Sequence, residues 1–149
     1  MKMKLIQPNM TSNKSNGYEV TNVTAILNDD THGYCLFDGI TNTDTQKDYP
    51  CYHSTDFNGD KVVVLKLPSE LKIVKFVYYT RYTWWYNINS VSIYGSNDNN
   101  SYTELTTVDA SRWSSRNHYD INIDKPSSYL YYKIVITLEF LNLLKRFVL

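Results

Sequence analysis

From Tyr18 onward the chain alternates short runs of β-branched and aromatic residues with clusters of Asn, Asp, Ser, Gly and Pro. Such runs suit pleated strands, and the clusters between them supply turns. Lys61-Val62-Val63-Val64-Leu65-Lys66-Leu67 is apolar on both faces, as a central strand must be. Pro68-Ser69-Glu70 is expected to end it. Leu71 to Thr80 reads as a second strand, with Ile73, Val77 and Tyr79 on one face and Val74, Phe76 and Tyr78 on the other. Asn89 to Gly95 is a third, on which Val91 and Ile93 point the same way. Tyr102 to Val108 follows the turn cluster Gly95-Ser96-Asn97-Asp98-Asn99-Asn100. His118 to Ile123 alternates, with Tyr119, Ile121 and Ile123 inward and His118, Asp120 and Asn122 outward. Tyr129 to Leu138 places Leu130, Tyr132, Ile134, Ile136 and Leu138 on one face. No long amphipathic helix interrupts the series, and Asn9 to Gly17 reads as loop. Strands separated by turns every 8–12 residues or so predict an all-β, antiparallel sandwich or barrel.

The 149 residues suit one domain with its own core. Fifteen Lys plus Arg against fifteen Asp plus Glu leave no net charge. That weighs against nucleic acid and anionic membranes as partners, since both need clustered cations. No stretch is apolar enough to span a membrane as a helix. Met1 to Pro8 lacks the apolar run of a secretory signal. This leaves the cytoplasm, release by another route such as lysis, or a place within a larger protein. Sequons begin at Asn9, Asn13, Asn22 and Asn99, and matter only in a eukaryotic secretory route. Cys35 and Cys51 do not make a disulfide framework.

Motifs of catalysis are missing. His32, His53 and His118 stand far apart, in no zinc spacing. No phosphate-cradling Gly loop and no Gly-x-Ser-x-Gly elbow occurs. The expectation is a protein that is not an enzyme.

Several segments resemble the discoidin, or coagulation factor V/VIII C-type, family of galactose-binding-like domains. Leu5-Ile6, Met10-Thr11-Ser12-Asn13 and Ser15-Asn16-Gly17-Tyr18 look like the opening of such domains in phage and prophage tail or surface proteins. Phe37-Asp38-Gly39 with Thr43 resembles the family's Phe-Asp-Gly-x-x-x-Thr turn. Gly95-Ser96-Asn97-Asp98 and Tyr131-Tyr132-Lys133-Ile134 resemble a later turn and a late strand. The resemblance runs over about residues 5 to 138. It implies a jelly-roll-like β-sandwich of about eight strands, with 139–149 as a divergent tail on a single domain.

The resemblance also implies a structural calcium at the Phe-Asp-Gly turn. Asp38 and Thr43 would supply side-chain oxygens, and backbone carbonyls near Cys35 and Ile40 part of the remaining shell. Ile40 departs from the polar residue common there, and no late Glu matches clearly. The alternative is that Asp38 and Gly39 only make a tight turn.

The family binds ligands in loops at one end of the sandwich, and three aromatic segments fall in such loops. They are Tyr49 to His53, Arg81 to Asn87 and Ser111 to Asn117. Tyr52, His53, Arg81, Trp84, Trp85, Tyr86, Trp113 and Arg116 are the expected contacts. A flat Trp or Tyr meets the C–H face of a sugar, while Arg, Asn and His bond its hydroxyls. Against this, adjacent residues on extended chain point oppositely, so one of Trp84 and Trp85 is expected to cap the core. Trp113 has the same alternative, as a plug in the sandwich. The expected function is non-catalytic, lectin-like binding of a glycan, of galactose type by analogy, for host or surface attachment on a virion or cell exterior. The alternative is an adaptor docking one virion or surface protein to another, with Phe140 to Leu149 in the interface.

Overall fold

The two-faced apolar run at Lys61 to Leu67 lies in a long strand with a neighbour on either side. The computed structural model describes residues 3–21, 30–39, 59–80, 88–114 and 117–138. Within them the strands are β1 (Lys14–Ser15), β2 (Tyr18–Thr21), β3 (Gly59–Lys72), β4 (Lys75–Tyr79), β5 (Ile88–Ser96), β6 (Thr103–Asp109), β7 (His118–Asn122) and β8 (Ser128–Leu138). A short 3-10 helix covers Asp30–Leu36. Six strands form one sheet in the order β1-β2-β3-β8-β5-β6, and β4 and β7 form the other. Every pairing is antiparallel. The chain is thus an all-β sandwich, as its alternation predicts.

The core lies between the sheets. Val63, Leu65 and Leu67 of β3 and Tyr132, Ile134 and Ile136 of β8 meet Val91 and Ile93 of β5 and Ile121 of β7. Each such side chain contributes about 1.5–3 kcal/mol when fully buried. Of the inward positions expected around β7, Ile121 and Ile123 are buried and Tyr119 is half-buried, and at the centre of β8 Tyr132, Ile134 and Ile136 are buried. On β4, Phe76 and Tyr78 pack on the core, while Val77 and Tyr79 face out.

Three expectations change. Pro68 does not end β3. The ladder shifts register between Lys66, opposite Tyr131, and Leu71, opposite Tyr129, and β3 resumes to Lys72. Pro68 is exposed in the intervening bulge, where its missing N–H breaks no ladder bond. Leu71 to Thr80 is not one strand. Its start completes β3, and the chain then crosses at Ile73-Val74 into β4 of the other sheet. The crossing is held by Tyr132, whose hydroxyl donates to Leu71 O at 2.6 Å and accepts from Ile73 N at 3.2 Å. Ile123 N donates to Val74 O at 2.9 Å on the far side.

Asn9 to Gly17 is not all loop either. Ser15 pairs with Tyr18 across Asn16-Gly17, with φ of 55° and 81°. Two successive positive φ values mark the turn whose twist matches a hairpin. The Asn16 amide donates to Asn9 O at 2.8 Å and Pro8 O at 3.2 Å, drawing the entering segment against this turn. Asn13 Oδ1 accepts from Tyr34 N at 2.9 Å, and Met10 N donates to Phe37 O at 3.0 Å. These bonds dock the 3-10 helix beside β2.

Candidate functional site

Strand ends gather at one end of the sandwich. Gly59 at the start of β3 and Ile88 at the start of β5 both register with Leu138 at the close of β8. Asp109, the last residue of β6, pairs with Ser90, and Ala110 N donates to Asn89 O at 2.9 Å. Trp113 N donates back to Ala110 O at 3.1 Å. Its indole crosses to the small sheet and stacks on Tyr119, 4.5 Å between centroids and 3° from parallel. Tyr78, the cross-strand partner of Tyr119, lies 5.4 Å from Trp113 at 40°. One face of Trp113 is therefore closed to a ligand, and the half-buried ring packs on the core.

Thr80 fixes the exit from β4. Its hydroxyl donates to Ser114 O at 2.7 Å and accepts from Asn117 N at 2.9 Å, while its own N–H donates to Asn117 O at 2.9 Å. The side chain is buried, so each bond replaces one that water would otherwise supply. Thr80, just before 81–87 in sequence, is thereby tied to Ser114 and Asn117 of the 111–117 segment. Tyr119 Oη accepts from Ser114 N at 2.8 Å, lies 3.2 Å from Ser114 Oγ and accepts from the Asn117 amide at 3.3 Å. Its bond with the Ser114 hydroxyl, then that with the Ser114 amide, pulls its pKa below the ordinary phenol value. Thr80 and Tyr119 were missed as site-shaping residues. A polar residue closing a strand was the available signal for Thr80, while Tyr119 was read only as core.

Of the expected ligand contacts, Trp113 is placed as above. Tyr52, His53, Arg81, Trp84, Trp85, Tyr86 and Arg116 lie outside the described residues. So does the tail from residue 139. Thr80 and Ile88, which flank 81–87 in sequence, and Ser114 and Asn117, which flank 115–116, all lie at this end.

The turn expected to hold calcium is described in part. Asp38 and Cys35 are half-buried, Gly39 has φ of 80°, and Asn9 Oδ1 fills the place where a Cβ would stand. Burial first, then Cys35 and Asp38, push the Tyr34 hydroxyl above its ordinary pKa. Thr43 and Ile40 lie outside the described residues. Among the described ones, no three His, Cys, Asp or Glu cluster in a way that could hold a metal. Asp38 with the Cys35 carbonyl falls short of the six to eight oxygens calcium takes.

The motif Gly95-Ser96-Asn97-Asp98 has a structural job at the opposite end. Asn97 bridges to β8, accepting from Leu130 N at 2.8 Å and donating to Ser128 O at 3.3 Å. Gly95 has no Cβ because the Tyr129 ring occupies that space. Among the described residues no helix is long and apolar enough to cross a membrane.

No protein-family model and no curated protein matches the sequence. Solved structures do match in shape. One is the CBM32-5 module from Clostridium perfringens, in complex with GalNAc-β-1,3-galactose, at 18% identity and a TM-score of 0.59, covering 85% of this chain and 88% of that one. A family 32 module of Clostridium perfringens NanJ, in complex with galactose, gives 17% identity, a TM-score of 0.59 and coverage of 85% and 87%. The family 32 module of Streptococcus pneumoniae EndoD gives 15%, 0.59, 82% and 83%. The chain therefore shares the antiparallel β-sandwich fold of these three carbohydrate-binding modules.

Proposed function

We propose that the chain is a non-catalytic carbohydrate-binding domain whose ligand sits at the strand-end cluster anchored by Thr80 and Trp113. The observation that supports this is that Thr80, Ile88, Ser114 and Asn117, the described neighbours of 81–87 and 115–116, meet at that end, in a fold whose similar structures include two solved with galactose or GalNAc-β-1,3-galactose. Flat aromatic faces with Arg and His beside them supply what a pyranose needs. Host or surface attachment, including on a phage tail or virion, is the use proposed for such a site. Calorimetric titration with those two sugars tests it. Binding at about millimolar affinity or tighter, roughly −4 kcal/mol, is expected. Trp84→Ala or Trp85→Ala should weaken it about tenfold or more. A folded sample that binds no sugar on a broad glycan array overturns the reading.

The adaptor reading is favoured by one observation: Met3 and Leu5 are each 78% exposed, with Ile6 beside them. An interface there predicts self-association or partner capture lost on Leu5→Ser. A strictly monomeric, sugar-binding chain decides against it.

Calcium at the Asp38 turn remains part of the proposal, with Thr43 and the carbonyls of Cys35 and Ile40 as further ligands. When bound it would brace the turn through oxygen ligands. Chelation should then lower the melting temperature and added calcium restore it, while Asp38→Ala abolishes the response. An unchanged melting curve removes the site.

A further inference from the structure

The outward face of the β4–β7 ribbon is divided into two lanes. Along β4 lie Lys75, Val77 and Tyr79, and opposite them along β7 lie Asn122, Asp120 and His118. All six are exposed, Val77 by 40% and Tyr79 by 44%. The Lys75 ammonium sits 3.2 Å from the Asp120 carboxylate, so the charge at that end is balanced within the face. Tyr79 and His118 lie side by side, rings 5.6 Å apart at 33°. They form the last pair of the ribbon, directly before Thr80 and its bonds to Asn117. The ribbon face and the strand-end cluster are therefore continuous at this pair.

Side chains on one face of a strand recur about every 6.6 Å. Along β4, beyond the paired Lys75, this gives Val77 then Tyr79, apolar and aromatic. Along β7 it gives Asn122, Asp120 and His118, which together donate and accept hydrogen bonds. A chain of pyranoses offers the complementary pair, with C–H faces on one side and hydroxyls on its edge. A protein partner fits less well. A stable protein interface covers roughly 800 Å² per side around an apolar centre, and here the apolar lane is two side chains, Val77 and Tyr79.

We propose that a glycan bound at the end of the sandwich continues over this ribbon, with Tyr79 and His118 forming the subsite for its second and later sugars; this rests on the carbohydrate-binding reading above. Galactose and the galactose-ended tetrasaccharide lacto-N-neotetraose are titrated into the full chain, into Tyr79→Ala and His118→Ala, and into Tyr131→Ala on the other sheet. Melting curves confirm that each variant is folded. The wild type and Tyr131→Ala should bind the tetrasaccharide about tenfold more tightly than galactose. The two ribbon variants should keep galactose affinity and lose that gain. Equal affinity of the wild type for both sugars, or a gain that survives in the ribbon variants, overturns the subsite and leaves the end site standing. Failure to bind any sugar overturns the carbohydrate reading and the subsite together. Self-association of the wild type that Tyr79→Ala abolishes would make the ribbon a contact between copies instead.

Discussion

Tyr132 has no exposed surface, yet its hydroxyl is fully used. Burial raises its pKa above the ordinary phenol value, so it stays protonated and donates to Leu71 O over the whole neutral range. Tyr132→Phe keeps the ring contacts with Phe76, 5.7 Å away, and Tyr129, 6.0 Å away. It strands a carbonyl and an N–H at the sheet crossing. The expected loss is about 1–3 kcal/mol, read from urea unfolding. Asp98 acts at the other end. Its carboxylate accepts from Ser101 N at 2.8 Å, Asn100 N at 2.9 Å and Ser96 Oγ at 2.9 Å. The Ser101 amide above all, then Asn100 and Ser96, hold its pKa below the usual carboxylate value. A folded pKa below the unfolded one means that the stabilisation is present above the unfolded value and lost as pH falls through the folded one. Asp98→Asn should therefore be less stable than wild type at neutral pH, and the two should converge as the pH falls below about 4. A constant gap across that range would show that the charge is not what matters.

The hairpin of β1 and β2 depends on a backbone geometry that side chains resist. Gly17 has φ of 81°, and a Cβ there would meet Pro68 at 3.1 Å. Gly17→Ala should cost about 1–2 kcal/mol in thermal or chemical unfolding. A neutral result would mean that the turn had flipped to a type without positive φ. The dipeptide Asn16-Gly17 is a strong hairpin signal, but the Asn, Ser and Thr around it masked the short strands as loop. The continuous run from Leu71 to Thr80 misled for a different reason. Alternation has period two in every strand, so it tells which face a residue takes and not which sheet the strand joins. Bonds from residues distant in sequence mark the crossing, those of the Tyr132 hydroxyl and of Ile123 N. Pro68 reads as a terminus in the sequence because a bulge looks like an end where the resumed pairing beyond it lies with a strand distant in sequence.

For the molecule as a whole, the strands β5 to β8 and the buried positions Val91, Ile93, Ile121, Tyr132, Ile134 and Ile136 are legible, because each needs only local alternation. The order of strands is not, since it depends on pairings far apart in the chain. The aromatic segments proposed for the end of the sandwich, Trp113 among them, stand out by composition. What Trp113 rests against does not, because Tyr119 reads as one more alternating core residue. The strand order has a consequence for biosynthesis. β8 lies between β3 and β5, although it is the last of them to be made. At about 5–20 residues per second, the apolar flanks of β3 and β5 wait for seconds on the ribosome before their common neighbour emerges. A nascent chain stopped before Ser128 should stay sensitive to protease and attract chaperones, and one that has released Leu138 should not.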